Sequence, residues 1–317
     1  MSTSEIRLAT FRTITSDSCP YDTVSRHLRH LDHAAILAIF NESKHLGAAV
    51  DPFSSYTDTN PIVLRYVSTE PDVDVRFSVI YEDDHIVAVD KGPYYPIHPS
   101  GRFFRNTLIH ALRSRGYTTV VPAHRLDQNT TGVVVFAKSI AAVRRLGETF
   151  AAGLVTKDYL AIVIGTPSWA GEVLDGPIGA ETPTTPLNRQ TVGGLDAKPS
   201  ATHVSVLAAA DGFSLVHCRP ETGRRHQIRV HLSNAGHPIV GDTLYGALPS
   251  SLIGRSALHA SRIRFLHPIH DARCTIVAAM PEDMMTLLRT TSLEVYVPNE
   301  LTYSSYVVDT EETYGRT

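Results

Sequence analysis

The chain has 317 residues, enough for one large domain or two modest ones and for a sizeable core. Hydrophobic residues make up 43% and charged residues 19%, a globular balance, and no apolar run approaches the roughly 18 residues of a membrane span. A net charge of −3 gives no global case for a polyanionic partner, and three scattered cysteines, Cys19, Cys218 and Cys274, fit neither a disulfide framework nor a zinc-ligand spacing.

A reducing, cytoplasmic setting is the expectation, because the N-terminus also lacks the apolar core of a signal peptide. Residues 1–20 read as a lead-in without structure. Residues 1–70 as a whole read as a separate N-terminal region. Within it, Leu28, Leu31, Ala35, Ile36 and Ile39 recur at helical spacing over His27–Phe40. The Ser/Thr/Asp-rich stretch from Pro52 to Pro61 reads as loop, and Ile62–Val67 as a strand.

From residue 71 to about 290 the pattern is that of one larger domain. Phe77–Tyr81 and His85–Asp90 suggest a hairpin turning at Glu82-Asp83-Asp84, a solvated turn rather than a metal site, since adjacent acids rarely converge on one ion. Prolines then fix an extended path through Lys91-Gly92-Pro93-Tyr94-Tyr95-Pro96-Ile97-His98-Pro99. Asn106 can cap a helix over Thr107–Arg115, which Gly116 ends.

Next comes the most informative stretch. Val120–Val121 and the β-branched run Val133–Ala137 read as strands on either side of His124-Arg125-Leu126-Asp127-Gln128-Asn129-Thr130-Thr131-Gly132. A carboxylate is thus held on a short loop beside a core strand, where catalytic groups tend to sit. Taken alone, Asp127 is more readily a turn aspartate bonding its own backbone, with Gly132 supplying a positive φ. Ser139 can cap a helix over Ile140–Ala152, closed by Gly153. In the following strand, alternation puts Tyr159, Ala161 and Val163 on one face.

Residues 166–197, rich in Thr, Pro and Gly, suggest a long surface excursion. Thr202–Leu207 and Phe213–Cys218 suggest paired strands turning at Asp211-Gly212. A helix starting near Arg225 would put Ile228 and Leu232 on one face and Arg225 and Arg229 on another. Its N-terminal amides and planar guanidinium groups suit phosphate or carboxylate. Residues 291–317 read as a polar tail with no assignable role. Arginines gather around residues 102–115 and 224–229, and phosphate binding needs only such a local positive groove.

Four blocks, in order, resemble the RluA-type RNA pseudouridine synthases over about residues 77–290. They are the Lys91–Pro99 segment, with Pro93 displaced by one place and Tyr-Tyr where Gly-Leu is usual; His124-Arg125-Leu126-Asp127 through Lys138, with Thr131 where Ser is usual; Lys157-x-Tyr159-x-Ala161-x-Val163-x-Gly165; and Gly223-Arg224-Arg225-His226-Gln227-Ile228-Arg229 with Gly236-His237-Pro238 through Tyr245-Gly246 and Leu258-His259-Ala260 through His267-Pro268.

The resemblance implies an α+β fold with a mixed, largely antiparallel central sheet flanked by helices and a cleft across it. It implies isomerisation of uridine to pseudouridine in tRNA or ribosomal RNA, with no cofactor and no metal. Asp127 would act at the ribose, as nucleophile on C1′ or base at C2′, Tyr159 at the uracil, and Arg229 as partner of Asp127. His124, Arg125, Leu126, Thr131, Gly132, Arg224, Arg225, His226, Gln227 and Ile228 would bind substrate, Arg125 filling the space a flipped base leaves. Asp127, Tyr159 and Arg229 are expected in one pocket. A monomer is expected, with residues 1–70 a degenerate RNA-binding module or a structural cap.

Two rivals remain on residue grounds. A glycoside hydrolase would need a second, opposed carboxylate, and no motif surrounds one. An RNA-binding protein without activity on the same scaffold is the alternative from another class, opposed by the joint presence of Asp127, Tyr159 and Arg229. A zinc nucleobase deaminase is excluded, because its His-x-Glu and Pro-Cys-x-x-Cys signatures are missing.

Overall fold

The structure, a computed structural model, describes residues 4–11, 24, 36–40, 62–182, 189–246, 251–293 and 304–309. The remainder of the 27–40 helix, the 52–61 loop and residues 294–303 and 310–317 of the tail lie outside these. The chain divides into two compact units. One holds Met1–Asp74, Pro99–Asn106 and Thr184–Asn188; the other holds Val75–His98, Thr107–Pro183 and Arg189–Thr317.

In the first unit, strand β1 (Ser4–Phe11) pairs antiparallel with β2 (Ile62–Thr69), from Ser4 opposite Thr69 to Phe11 opposite Ile62. This corrects the unstructured lead-in: Ile6 and Leu8 flank Arg7 in the alternation of a strand, a signal too short to weigh alone. Residues 36–40 are helical. The buried carboxylate of Glu70 accepts the amides of Phe104 (2.7 Å), Arg105 (2.9 Å) and Asn106 (2.7 Å).

The second unit is built on an eleven-stranded sheet. The strands are β3 (Phe77–Glu82), β4 (Ile86–Lys91), β5 (Val121–Pro122), β6 (Thr131–Ala137), β7 (Thr156–Ile164), β8 (Gly171–Leu174), β12 (Thr202–Ala210), β13 (Phe213–Pro220), β14 (Leu258–Leu266), β15 (Arg273–Val277) and β16 (Ser305–Asp309). Their order is β3-β4-β6-β14-β7-β13-β12-β8, with β5 on β6 and β15 bridging β14 to β16. All pairs are antiparallel except β6 with β14. A separate sheet of order β10-β9-β11 uses β9 (Ile178–Ala180), β10 (Gln190–Val192) and β11 (Leu195–Lys198). Helices α1 (Leu108–Ser114), α2 (Ile140–Ala151), α3 (Gln227–Asn234) and α4 (Glu282–Thr290) complete it. None of the described helices is long and apolar enough to cross a membrane.

Strand β6 is buried at every position, as its Val133–Ala137 run demands. Val133, Val135 and Ala137 meet Ala142 and Leu146 of α2, with Ile263, Phe265 and Ile276 completing the core. Ser139 caps α2, its Oγ accepting the Ala142 amide at 3.2 Å. The β12–β13 hairpin turns at Asp211 and Gly212, both at positive φ, as a tight Asp-Gly turn requires.

Four local expectations are corrected. Thr107, not Asn106, caps α1; Thr107 Oγ1 accepts the His110 amide, while Asn106 Nδ2 is turned to the Pro71 carbonyl at 2.8 Å. The 166–197 excursion carries β8 to β11, short strands that their Thr/Pro/Gly composition hides. The polar tail supplies β16, which covers β15. Asp83 is no solvated turn residue: its Oδ1 accepts the amides of His85 (2.7 Å) and Ile86 (2.8 Å), and its Oδ2 is reached by Tyr81 Oη (2.7 Å) and His267 Nε2 (2.8 Å).

Candidate active site

Asp127 lies on the loop between β5 and β6. The loop turns through a main-chain bond from Thr130 N to Asp127 O of 3.1 Å, so the turn does not use the carboxylate. Oδ2 instead accepts from Arg229 Nη1 at 3.1 Å, and Oδ1 takes no bond from any described residue. That replaces the turn-aspartate reading with a carboxylate aimed into a cavity.

The cavity, of about 360 Å³, holds Asp127, Tyr159 and Arg229 together. Strand β7 delivers Tyr159, α3 delivers Ile228 and Arg229, and the loop before α3 delivers Arg224, Arg225 and His226. Ala123, His124, Arg125 and Leu126 form the wall beside Asp127, and Lys157, Phe150 and Leu258 close the rest. The size lies within the range of small-molecule sites and admits a nucleobase.

Arg229 is the hinge of the charge arrangement. Its Nε and Nη2 donate to Asp242 Oδ2 (2.6 Å) and Oδ1 (2.8 Å), and its remaining nitrogen reaches Asp127. Only a planar fork can hold two carboxylates in fixed directions at once. Tyr245 lies against the guanidinium, 4.9 Å from ring centre to Cζ, and its hydroxyl is 2.7 Å from His226 Nδ1. His226 stands in the left-handed region, φ 56°, at the head of α3, a costly conformation that places its other nitrogen 3.9 Å from Asp127 Oδ2.

Burial would raise the Asp127 carboxyl, but His226, Arg229 and Arg125 outweigh it and hold it below its ordinary value. Burial also pushes His226 down to about 4, so at neutral pH the cations at work are Arg229 and Arg125. Asp127 is therefore ionised while a fifth of its side chain stays open to the cavity. Tyr159 moves the other way: burial, then the Asp127 charge, push its phenol well up. His124 is pushed down to about 3 by burial and Lys157; its Nε2 accepts the Val135 amide at 3.1 Å, and its ring stacks on Phe150.

Two expected binding residues lie away from the cavity, and a third lines it with its amide already engaged. Thr131 and Gly132 do not line the cavity. Thr131 Oγ1 is bonded to His259 Nδ1 at 2.9 Å, and Gly132, at φ +110°, presses on the Ala260 backbone where a Cβ has no room. Both belong to the β6–β14 contact. Gln227 lines the cavity, but its amide is committed internally, to Thr222 Oγ1, Arg224 N, Ala201 O and Thr202 Oγ1. Arg225 precedes α3 and so shares no helical face with Arg229. Asp242 and Tyr245 went unassigned in the sequence, although both stand in the Gly241-Asp242-x-x-Tyr245-Gly246 block that signals them.

Residues 85–234 match the family described as RNA pseudouridylate synthase. Ribosomal large subunit pseudouridine synthase D of Zymomonas mobilis is 34% identical over 245 residues, covering 71% of this chain and 75% of that protein. The chain belongs to the RluA-type RNA pseudouridine synthases. Two solved human structures share the fold: RNA pseudouridylate synthase domain containing 1, at 30% identity and TM-score 0.55 over 62% of this chain and 81% of that one, and domain containing 4, at 26% and 0.59 over 70% and 95%. The mixed, mostly antiparallel sheet expected of the family is the one observed.

Proposed function

We propose that the cavity isomerises a flipped-out uridine of structured RNA, with Asp127 acting at the ribose. The observation that carries this is the half-bonded carboxylate: Arg229 holds Oδ2, while Oδ1 accepts no hydrogen bond from a described residue. An ionised oxygen held so can attack C1′ or take the C2′ proton, in either case as the C1′–N1 bond breaks and uracil leaves with its electron pair; Arg229 keeps the carboxylate charged without covering it. The turned uracil then bonds C1′ through C5, displacing the carboxylate or, on the other route, with C2′ regaining its proton, and the C5 proton passes to solvent. Tyr159 takes the uracil as a neutral phenol whose ring packs on the base, since burial and Asp127 disfavour a phenolate. Ile228 packs against the same ring. Arg224 and Arg225 take backbone phosphates, and Arg125, exposed at the cavity wall, fills the stack the base has left.

Relatives named for the ribosomal large subunit favour ribosomal RNA over tRNA as the substrate. Two buried free cysteines, Cys218 and Cys274, support a cytoplasmic setting. Residues 1–70 are assigned a docking role, outside the chemistry.

The test is tritium release from RNA labelled at uridine C5, beside pseudouridine mapping in cells lacking the protein. Release, and a missing pseudouridine in large-subunit RNA, are expected. Tight RNA binding without release would return the chain to the non-catalytic alternative.

A further inference from the structure

Beneath the Asp127 loop lie two buried basic side chains that never reach the cavity, the arginine Arg255 and Lys91, whose ammonium is pushed down to about 7 by burial and by Arg255. Arg255 has no exposed side chain, and Lys91 is equally buried. Three successive carbonyls after Asp127 point at them. Lys91 Nζ donates to Gln128 O (2.9 Å) and Thr130 O (3.0 Å), and Arg255 Nη1 donates to Asn129 O between them (3.3 Å). The same Nη1 also reaches Ser256 O (3.0 Å) and Leu258 O (3.2 Å), and Leu258 is a cavity wall.

The geometry at this point needs an anchor. Strands β6 and β14 run parallel, with only Thr131 opposite His259 and Gly132 opposite Ala260. Parallel neighbours cannot be closed by a hairpin, so nothing local in the chain fixes where the two strands start together. Arg255 ties the two entering segments, at Asn129 and at Leu258. Its own direction is set from outside: Nε and Nη2 form a two-pronged bond to Asp283 Oδ2 (2.7 Å) and Oδ1 (2.8 Å) in the first turn of α4. A planar guanidinium gripped by both oxygens of one carboxylate has a fixed plane, so it stays where that carboxylate holds it. Neither Arg255 nor Asp283 lines the cavity, and Asp283 is more than a third exposed.

We propose that Asp283, acting through Arg255, is a positioning residue for the Asp127 loop, so that α4 sets the aim of the carboxylate without touching RNA. Its catalytic consequence rests on the uridine chemistry proposed above; its structural consequence does not. The mechanism is indirect but short: carboxylate to guanidinium, guanidinium to the Asn129 carbonyl, and two residues back to Asp127. Displacements of about 1 Å at a reacting group cost on the order of a hundredfold in rate.

The test compares the full-length wild type with Asp283→Asn and Asp283→Glu. Amide hydrogen exchange is followed over residues 126–133, together with single-turnover tritium release, RNA affinity and a thermal melt. In Asp283→Asn, exchange in that loop should quicken about tenfold, release should slow about ten- to a hundredfold, and RNA affinity should stay within about twofold. Asp283→Glu, which keeps the charge but shifts it by one methylene, should restore part of both losses. If Asp283→Asn does not fold, Asp283→Glu carries the test, with quickened loop exchange and slowed release still expected. A folded variant with unchanged loop exchange overturns the proposal. So does a rate loss that merely follows the melted fraction. If the wild type itself releases no tritium, the uridine chemistry fails, and the exchange comparison alone decides the positioning.

Discussion

Strand β7 carries two adjacent residues that look into opposite charge clusters. Tyr159 faces the cavity, where one arginine serves two carboxylates. Asp158 faces the other side of the sheet, where one carboxylate serves four donors. His217 Nε2 and Arg219 Nε reach its Oδ1, both at 2.9 Å, and Arg262 Nε (3.2 Å) and Arg264 Nη2 (2.8 Å) reach its Oδ2. Both clusters bury a carboxylate and keep it ionised, yet their accounting differs. Asp158 is 1% exposed with both oxygens doubly occupied; Asp127 is 20% exposed with one oxygen held and one left open. A saturated carboxylate joins strands β7, β13 and β14. An under-bonded one is available for chemistry. The two clusters therefore differ in unfilled hydrogen-bonding capacity.

The largest effect expected from this contrast is at Asp127. Asp127→Asn keeps size but removes the charge and, with it, the nucleophile or base proposed above, so tritium release should vanish. RNA affinity and the thermal melt should stay near those of the wild type, because phosphate contacts dominate affinity and the carboxylate closes no turn. Residual release above a hundredth of the wild-type rate would refute the role.

Next in size is Arg229→Lys. A lysine keeps one charge but cannot grip Asp242 with two prongs and reach Asp127 as well. The rate should fall on the order of a hundredfold, by loss of aim. The pH dependence has a definite sign. Arg229 holds the Asp127 carboxyl down, so weakening that contact lets it rise. Activity that needs the ionised form should then be lost at a higher pH than in the wild type. A pH–rate profile whose acid limb stays in place would show that Arg229 does not set the ionisation of Asp127.

The contrast also marks what sequence reasoning could reach. The tight elements were legible from local chemistry: the β3–β4 and β12–β13 hairpins from their polar turns, and α2 from Ser139 and Gly153. The sheet order was not, because the β6–β14 pair joins residues far apart in the chain. Asp127, Tyr159 and Arg229 came through resemblance, since no spacing says that residues on three different elements converge. Adjacency misled at Thr131 and Gly132. They follow Asp127 closely, but the chain has by then entered β6 and turned them to its neighbour strand. The Asp158 cluster left no mark, because arginines at alternate positions on β14 read as any solvated strand face. Asp242 could have been found by asking what the second side of a buried guanidinium requires.

The smallest effect, and the sharpest check on the comparison, is at Asp158. Asp158→Asn removes the anion that three arginines share. Breaking a buried ion pair from one side costs about 3–5 kcal/mol, but these arginines keep 27–46% of their side chains exposed, and solvent screens what remains. A loss of about 1–3 kcal/mol is therefore expected in urea unfolding, with an unchanged slope. Tritium release should be normal at a temperature where the variant is folded. The pH dependence follows from the folded carboxyl lying below its ordinary value, held there by His217 and the arginines against the opposing effect of burial. A depressed carboxyl stabilises the fold fully above the unfolded value of about 4 and loses that contribution as pH falls through the folded one. The stability gap between wild type and Asp158→Asn should thus be level from about pH 5 to 8 and close in stronger acid. A gap that widens in acid would mean that Asp158 is not the saturated anion its four bonds describe. A variant that folds normally but loses activity would erase the division between a structural and a reactive carboxylate on the two faces of β7.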